Sequence, residues 1–200
     1  MKTQTKTRKL LLTALTVTVV GSIVAFGTFS AFSSTTENPG NEFAAGSVAI
    51  ADNDTGTALY NVSNQKPGDS KTSCIKVTYT GTLASDVKLY LPDAVNSQVA
   101  EYTNLDITSG TGAAQNCSDF VPDTAGANVF SGELGTFAAT YDNYANGLSD
   151  LPLAKTKWDA NDTVTYKVRV ELQDTNSANS QSGTGYSTGV HKYVFEARNQ

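Results

Sequence analysis

The run from Asp162 to Leu172, DTVTYKVRVEL, alternates without a break. Val164, Tyr166, Val168, Val170 and Leu172 take one side, and Thr165, Lys167, Arg169 and Glu171 take the other. Successive side chains of an extended chain point to opposite faces, so a strict period of two predicts a strand with one buried and one wet face. Antiparallel sheets use strands of this kind. The pattern recurs in CIKVTYT, which aligns Ile75, Val77 and Tyr79, and in SDVKLYL, which aligns Val87, Leu89 and Leu91. In HKYVFEA, Tyr193, Phe195 and Ala197 share a side with His191. GSVAIA (46–51), TALYNV (57–62) and YTNLDIT (102–108) read as shorter strands, and FSGELGTFA (130–138) reads as either strand or helix. Turn-forming clusters separate these runs: DNDTG at 52–56, KPGD at 66–69, TGT at 80–82 and DTNSANSQSGTG at 174–185. Because TGT stands between two alternating runs, residues 74–91 read as two strands joined through a glycine-containing turn.

Seven or eight short strands, with no helical periodicity after residue 30, predict an all-β fold: an antiparallel β-sandwich. The alternation fits jelly-roll and Greek-key connections alike. The stretch 109–160 is poor in strand signal and reads as long connections with a short helical turn near YDNYANGL (141–148).

The N-terminus follows a different rule. MKTQTKTRK carries Lys2, Lys6, Arg8 and Lys9 and no acid, and LLLTALTVTVVGSIVAF (10–26) carries no charge. A basic segment followed by an apolar one is the layout of a secretory signal peptide. A retained membrane anchor is the other reading, since about 17–25 apolar residues span a bilayer. Small residues at the last and third-last positions favour cleavage. Thr28 and Ser30 meet that condition for a cut between Ser30 and Ala31. The expected organisation is a signal peptide over 1–30, an extended segment over 31–41 and a β-sandwich domain over 42–200.

Loss of the leader changes the charge. Without its four basic residues, ten Lys and Arg face nineteen acids, a net charge of −9. That disfavours nucleic acid and anionic membrane surfaces as partners, since both need a positive face. The membrane is then met only through the uncleaved leader. Two cysteines in an exported chain predict a disulfide between Cys74 and Cys117, which would pin the least regular stretch to the sheet. One histidine and two cysteines are too few soft ligands for a metal site, and no zinc-protease helix with two histidines occurs. No nucleophile elbow accompanies His191, so it reads as a half-buried structural residue. Trp158 reads as core packing. Asp52 and Asp54, two apart, could share a calcium ion, but the rest of a calcium loop is missing, and a plain turn is expected there. No catalytic residue, cofactor or metal is expected.

GTFSAF after an apolar leader, NEFAAGSVAI, NVSNQKPGDSKTSCIKVTYTGTLASDVKLYL and the terminal YKVRVELQD and YVFEARNQ resemble the TasA/camelysin family of exported bacterial proteins. The resemblance covers both ends of the chain and the first half of the domain. It implies a jelly-roll sandwich and a leader cut just before an Ala-Phe pair by a SipW-type signal peptidase, which again places the cut before Ala31-Phe32. It also implies extracellular matrix fibres in which the N-terminal segment of one subunit completes the sheet of the next. Camelysin-like members are described as metallo-endopeptidases, an activity for which this chain is short of ligands. Segment 31–41 suits strand exchange: Phe32, Ser34 and Thr36 share one face of an extended chain that starts at Ala31, and Pro39-Gly40 makes a hinge. The expected function is a secreted structural subunit of the matrix or cell surface. Its expected partners are further copies of itself, other matrix proteins and, during export, the signal peptidase. A monomeric exported adhesin or ligand-binding module is the alternative, and a secreted metallo-endopeptidase the third reading.

Overall fold

In a computed structural model the described residues are 45–124, 127–149, 155–176, 178 and 187–199. The leader, the cleavage site and the segment 31–41 lie outside them. The elements in chain order are β1 (Ile50–Asp52), β2 (Ser70–Tyr79), β3 (Asp86–Tyr90), α1 (Ser97–Ala100), β4 (Thr103–Thr111), β5 (Val121–Pro122), β6 (Asn128–Glu133), α2 (Leu134–Thr140), β7 (Thr163–Leu172) and β8 (Val194–Arg198). Every pairing between them is antiparallel. One sheet has the order β1-β2-β7-β4, with β5 and β6 both on the far edge of β4, and the other is the pair β3-β8. No helix among the described residues is long and apolar enough to cross a membrane.

The alternating runs place the core. Register sets Ile75 opposite Tyr166 and Val77 opposite Val164, and Leu105 opposite Val170 and Ile107 opposite Val168. Their inward side chains join Val87 and Leu89 of the second sheet, and Leu91 just past it, in one buried cluster. Tyr166 and Phe195 stack across the sheets with ring centroids 5.0 Å apart. Trp158 is buried in that cluster, as expected, and bridges Ser85.

Three expectations change. Residues 74–91 are not a hairpin: β2 and β3 lie in different sheets, and loop 80–85 crosses between them. The cause is Tyr79, which points inward and is fully buried. Its hydroxyl bonds Ser85 Oγ at 2.7 Å and donates to the Leu83 carbonyl, so the loop folds over the end of the core. Gly81 lies directly over that ring, where a Cβ would collide with the phenol oxygen. Second, TALYNV forms no strand. Third, 109–160 holds an edge strand, β6, and a helix earlier than expected: α2 covers 134–140, and Tyr144–Asn146 forms only a turn. Leu134 and Phe137 are buried, and Ala138 and Tyr141 pack against the core, so the i, i+3, i+4, i+7 spacing of a helix was present in the sequence.

The disulfide is formed. Cys74 and Cys117 are bridged with their Cα atoms 5.2 Å apart. Loop 112–120 thereby lies on the outer face of the large sheet. Thr165, which alternation puts on the wet face, is 2% exposed there and donates to the Gly112 carbonyl at 2.6 Å.

Candidate functional site

One side of the sandwich is left open. Among the described residues β1 has a strand partner on one edge only, and so has β8. Between them lies a cleft of about 240 Å³ whose apolar walls come from Ile50, Ile75, Val77 and Phe195. It continues past Tyr193 into a groove of about 590 Å³ between residues 56–62 and 187–193. Beyond Tyr60 a further space of about 680 Å³ reaches Val99, Leu134 and Val170.

The segment Ala58–Gln65 borders all of this except the first cleft. It has no helix or strand, and its backbone makes no backbone hydrogen bond with another described residue. It is fixed at its ends by two turns. Thr57 N–H donates to the Asp54 carbonyl at 3.0 Å, and Asp69 closes the turn at Lys66 by accepting from its N–H at 2.8 Å. In between it is held by Leu59 and Tyr60, which pack against the core. The Tyr60 hydroxyl lies 2.6 Å from His191 Nε2 and 2.9 Å from the Tyr193 hydroxyl. His191 Nδ1 lies 3.0 Å from the Gly189 carbonyl, which can only accept. Nδ1–H therefore donates to Gly189; in the tautomer that carries only that proton, Nε2 accepts from Tyr60, and Tyr60 accepts from Tyr193. Burial pushes the Tyr60 phenol up to about 12 and the Tyr193 phenol well above its ordinary value. Both stay protonated as the chain of bonds requires.

The neighbouring edge of β2 is closed rather than open. Cys74 N–H donates to the Gln115 carbonyl at 2.8 Å, and Lys76 N–H donates to Asn53 Oδ1 at 2.8 Å. Asn53 Nδ2 in turn donates to the Ala113 carbonyl at 2.7 Å, and Gln115 Nε2 donates to the Asn53 carbonyl at 2.9 Å. The disulfide pins this clamp in place. Past it, toward Lys71 and Thr72, a space of about 490 Å³ separates β2 from the 57–61 segment.

Asp52 and Asp54 make a turn, as expected. Asp52 Oδ1 accepts the Asp54 N–H at 3.2 Å, and Asp54 Oδ1 accepts the Gly56 N–H at 2.7 Å. Partial burial raises the Asp54 carboxyl, against the lowering effect of the Gly56 N–H. Ser30, Ala31, Phe32, Ser34 and Thr36 lie outside the described residues. His191 is half-buried, as read from the sequence, but precedes β8 rather than lying in it. Tyr60 was not singled out by the sequence. Its signal was an aromatic residue in an alternating run that finds no sheet.

A family model described as camelysin metallo-endopeptidase matches residues 5–111, more than half of the chain. No curated protein matches it. A metallo-endopeptidase needs a divalent metal, usually on three protein ligands. Among the described residues no cluster of three or more His, Cys, Asp and Glu side chains could hold one. The chain has a single histidine, and both of its ring nitrogens are engaged. These residues do not fit a catalytic zinc.

Proposed function

Because the chain belongs to the camelysin family, we propose that it is a secreted structural subunit that assembles into extracellular fibres by N-terminal strand exchange. Cleavage before Ala31 frees the segment 31–41, and this segment adds to the open side of the next subunit's sandwich. The observation that carries the reading is the pair of one-sided strands, β1 and β8, flanking an apolar cleft. An extended peptide can complete such an edge, with backbone hydrogen bonds for affinity and side-chain pockets for register. Ile50, Ile75, Val77 and Phe195 offer a pocket suited to Phe32. Head-to-tail addition does not close on itself and so gives a filament. The fold agrees with a jelly roll in that the chain changes sheet from β2 to β3, back at β4, and again from β7 to β8.

The test compares a chain starting at Ala31 with one starting at Asn41, by electron microscopy at high concentration. Both should show the same β-rich circular dichroism, and only the longer should form fibres. Equal fibre formation, or none, would sink the mechanism, and a purely monomeric protein would favour an adhesin. N-terminal sequencing of exported material should begin at Ala31. The family description favours a second reading, a metallo-endopeptidase. Chelator-sensitive cleavage of casein by the purified protein would establish it in place of the structural one.

A further inference from the structure

TALYNV has the composition and alternation of a strand, yet it has no strand partner among the described residues. A segment whose local preference disagrees with its surroundings is an exception in a folded chain and calls for a reason. Ala58–Gln65 has open space on both sides: about 490 Å³ toward β2 and about 590 Å³ toward residues 187–193. Its unpaired backbone therefore faces room for another chain rather than packed protein. It also lacks what usually guards an unpaired edge, since no proline and no lysine occurs from Ala58 to Gln65. Among the described residues its one polar side-chain tie across the groove is the Tyr60 hydroxyl on His191 and Tyr193.

We propose that Ala58–Gln65 is a strap that becomes a hydrogen-bonded strand when the segment 31–41 of a second copy enters beside it, and that Tyr60 is the latch holding it unpaired until then. The inference rests on the strand-exchange reading above and adds the responding element and its control. The occupant is chosen for its fit to a strap rich in backbone groups and poor in side-chain anchors. Residues 33–38 of the incoming segment carry no bulky apolar side chain and would bind through the backbone, while the apolar tip Ala31-Phe32 would reach the cleft. Once paired, the strap would have a hydrogen-bonding neighbour where its backbone has none among the described residues. Tyr60 adds a threshold, because the strap cannot shift to meet a new partner without stretching the bonds of its phenol.

The experiment uses the chain starting at Asn41 with a synthetic peptide AFSSTTENPGN, and the fibres of the chain starting at Ala31. Amide hydrogen exchange is read by mass spectrometry over residues 58–65. In the free protein these amides should exchange near the rate of an unstructured chain. With saturating peptide, or in the fibre, they should slow by about a hundredfold or more, as amides in a sheet do. Tyr60→Phe keeps the ring and removes both hydroxyl bonds, so peptide uptake should be at least about tenfold faster. Val62→Pro removes an amide that the free protein does not use. It should fold normally and take up peptide at least about tenfold more weakly. Binding or fibres with a strap that still exchanges freely would overturn the strap and leave strand exchange standing. No binding and no fibres would overturn both. A Tyr60→Phe protein with unchanged uptake would remove the latch, and Val62→Pro binding like the parent would remove strap pairing even where Tyr60→Phe fails to fold.

Discussion

Breaking the Cys74–Cys117 bridge should cost the domain much of its stability. The bridge closes a loop of 43 positions. On the chain-entropy account, opening it returns about 4 kcal/mol of freedom to the unfolded chain. The folded state should change little, because the loop has other ties. Asp119 accepts both the Ala113 and Ala114 N–H groups at 2.9 Å, and Gly112 is held by Thr165. One correction runs the other way. Cys117 sits at φ 61, in the left-handed region, where a residue with a Cβ costs roughly 1 kcal/mol relative to glycine. Cys74 is 2% exposed, so alanine is the replacement that adds no buried hydroxyl there. Cys74→Ala with Cys117→Ser should therefore lose about 4 kcal/mol, and Cys74→Ala with Cys117→Gly about 3 kcal/mol. For a domain of this size the two losses correspond to falls in Tm of roughly 8–16 °C and 6–12 °C. Urea unfolding is the assay, with the slope m read alongside the midpoint, because an unfolded chain released from a cross-link exposes more surface and m should rise. A serine variant within about 1 kcal/mol of the oxidised protein would refute the argument that the bridge acts through the unfolded chain. A glycine variant no better than the serine one would refute the strain assigned to Cys117.

Two further outcomes follow from the core and the latch. Phe137 is fully buried and meets Phe130 edge-on at 4.9 Å, so Phe137→Ala should lose about 3–5 kcal/mol in the same urea assay. The Tyr60 phenol sits near 12 in the folded state against about 10 unfolded. A raised value in the folded state means the stabilisation is complete below pH 10 and is lost as pH rises toward 12. It amounts to roughly 2–3 kcal/mol. Stability measured at pH 9 and pH 11.5 should fall more in the parent protein than in Tyr60→Phe.

The long strands were legible because alternation is a property of the chain itself. Thr163–Leu172 and Ser70–Tyr79 needed only their own side chains to declare an inner face, and Cys74–Cys117 needed only the expectation of export and an even cysteine count. What the sequence did not declare was which sheet a strand would join. The turn between Tyr79 and Asp86 looked like a hairpin, because glycine and threonine are turn formers wherever the chain goes next. The crossing is decided by Tyr79, whose hydroxyl finds Ser85 and Leu83 only if β3 leaves the sheet. Thr165 was misplaced for a similar reason: a disulfide-tethered loop, distant in sequence, covers the face that alternation marks as wet. Leu134, Phe137 and Tyr141 carried the helical period, but seven residues are too few to outweigh the strand-like FSGE before them.

Edge protection is distributed unevenly over this molecule, and the unevenness bears on function. A sheet edge left bare invites pairing with other chains, so proteins close edges with prolines, bulges, charges or loops. Here the edge of β2 is closed twice, by Gln115 at Cys74 and by Asn53 at Lys76. The far edge of β4 is divided between β5, which contains Pro122, and β6, with a register shift between Ile107 and Thr108. Ala58–Gln65 has none of these devices, although it borders open spaces of about 680 and 590 Å³. If the sequence had been shaped only against aggregation, the strap would need a guard as much as β2 does, and one proline would supply it without breaking any backbone hydrogen bond to a described residue. Leaving that one segment unguarded, with the Tyr60 phenol as its polar tie across the groove, accords with the proposal that this edge is kept for a specific partner.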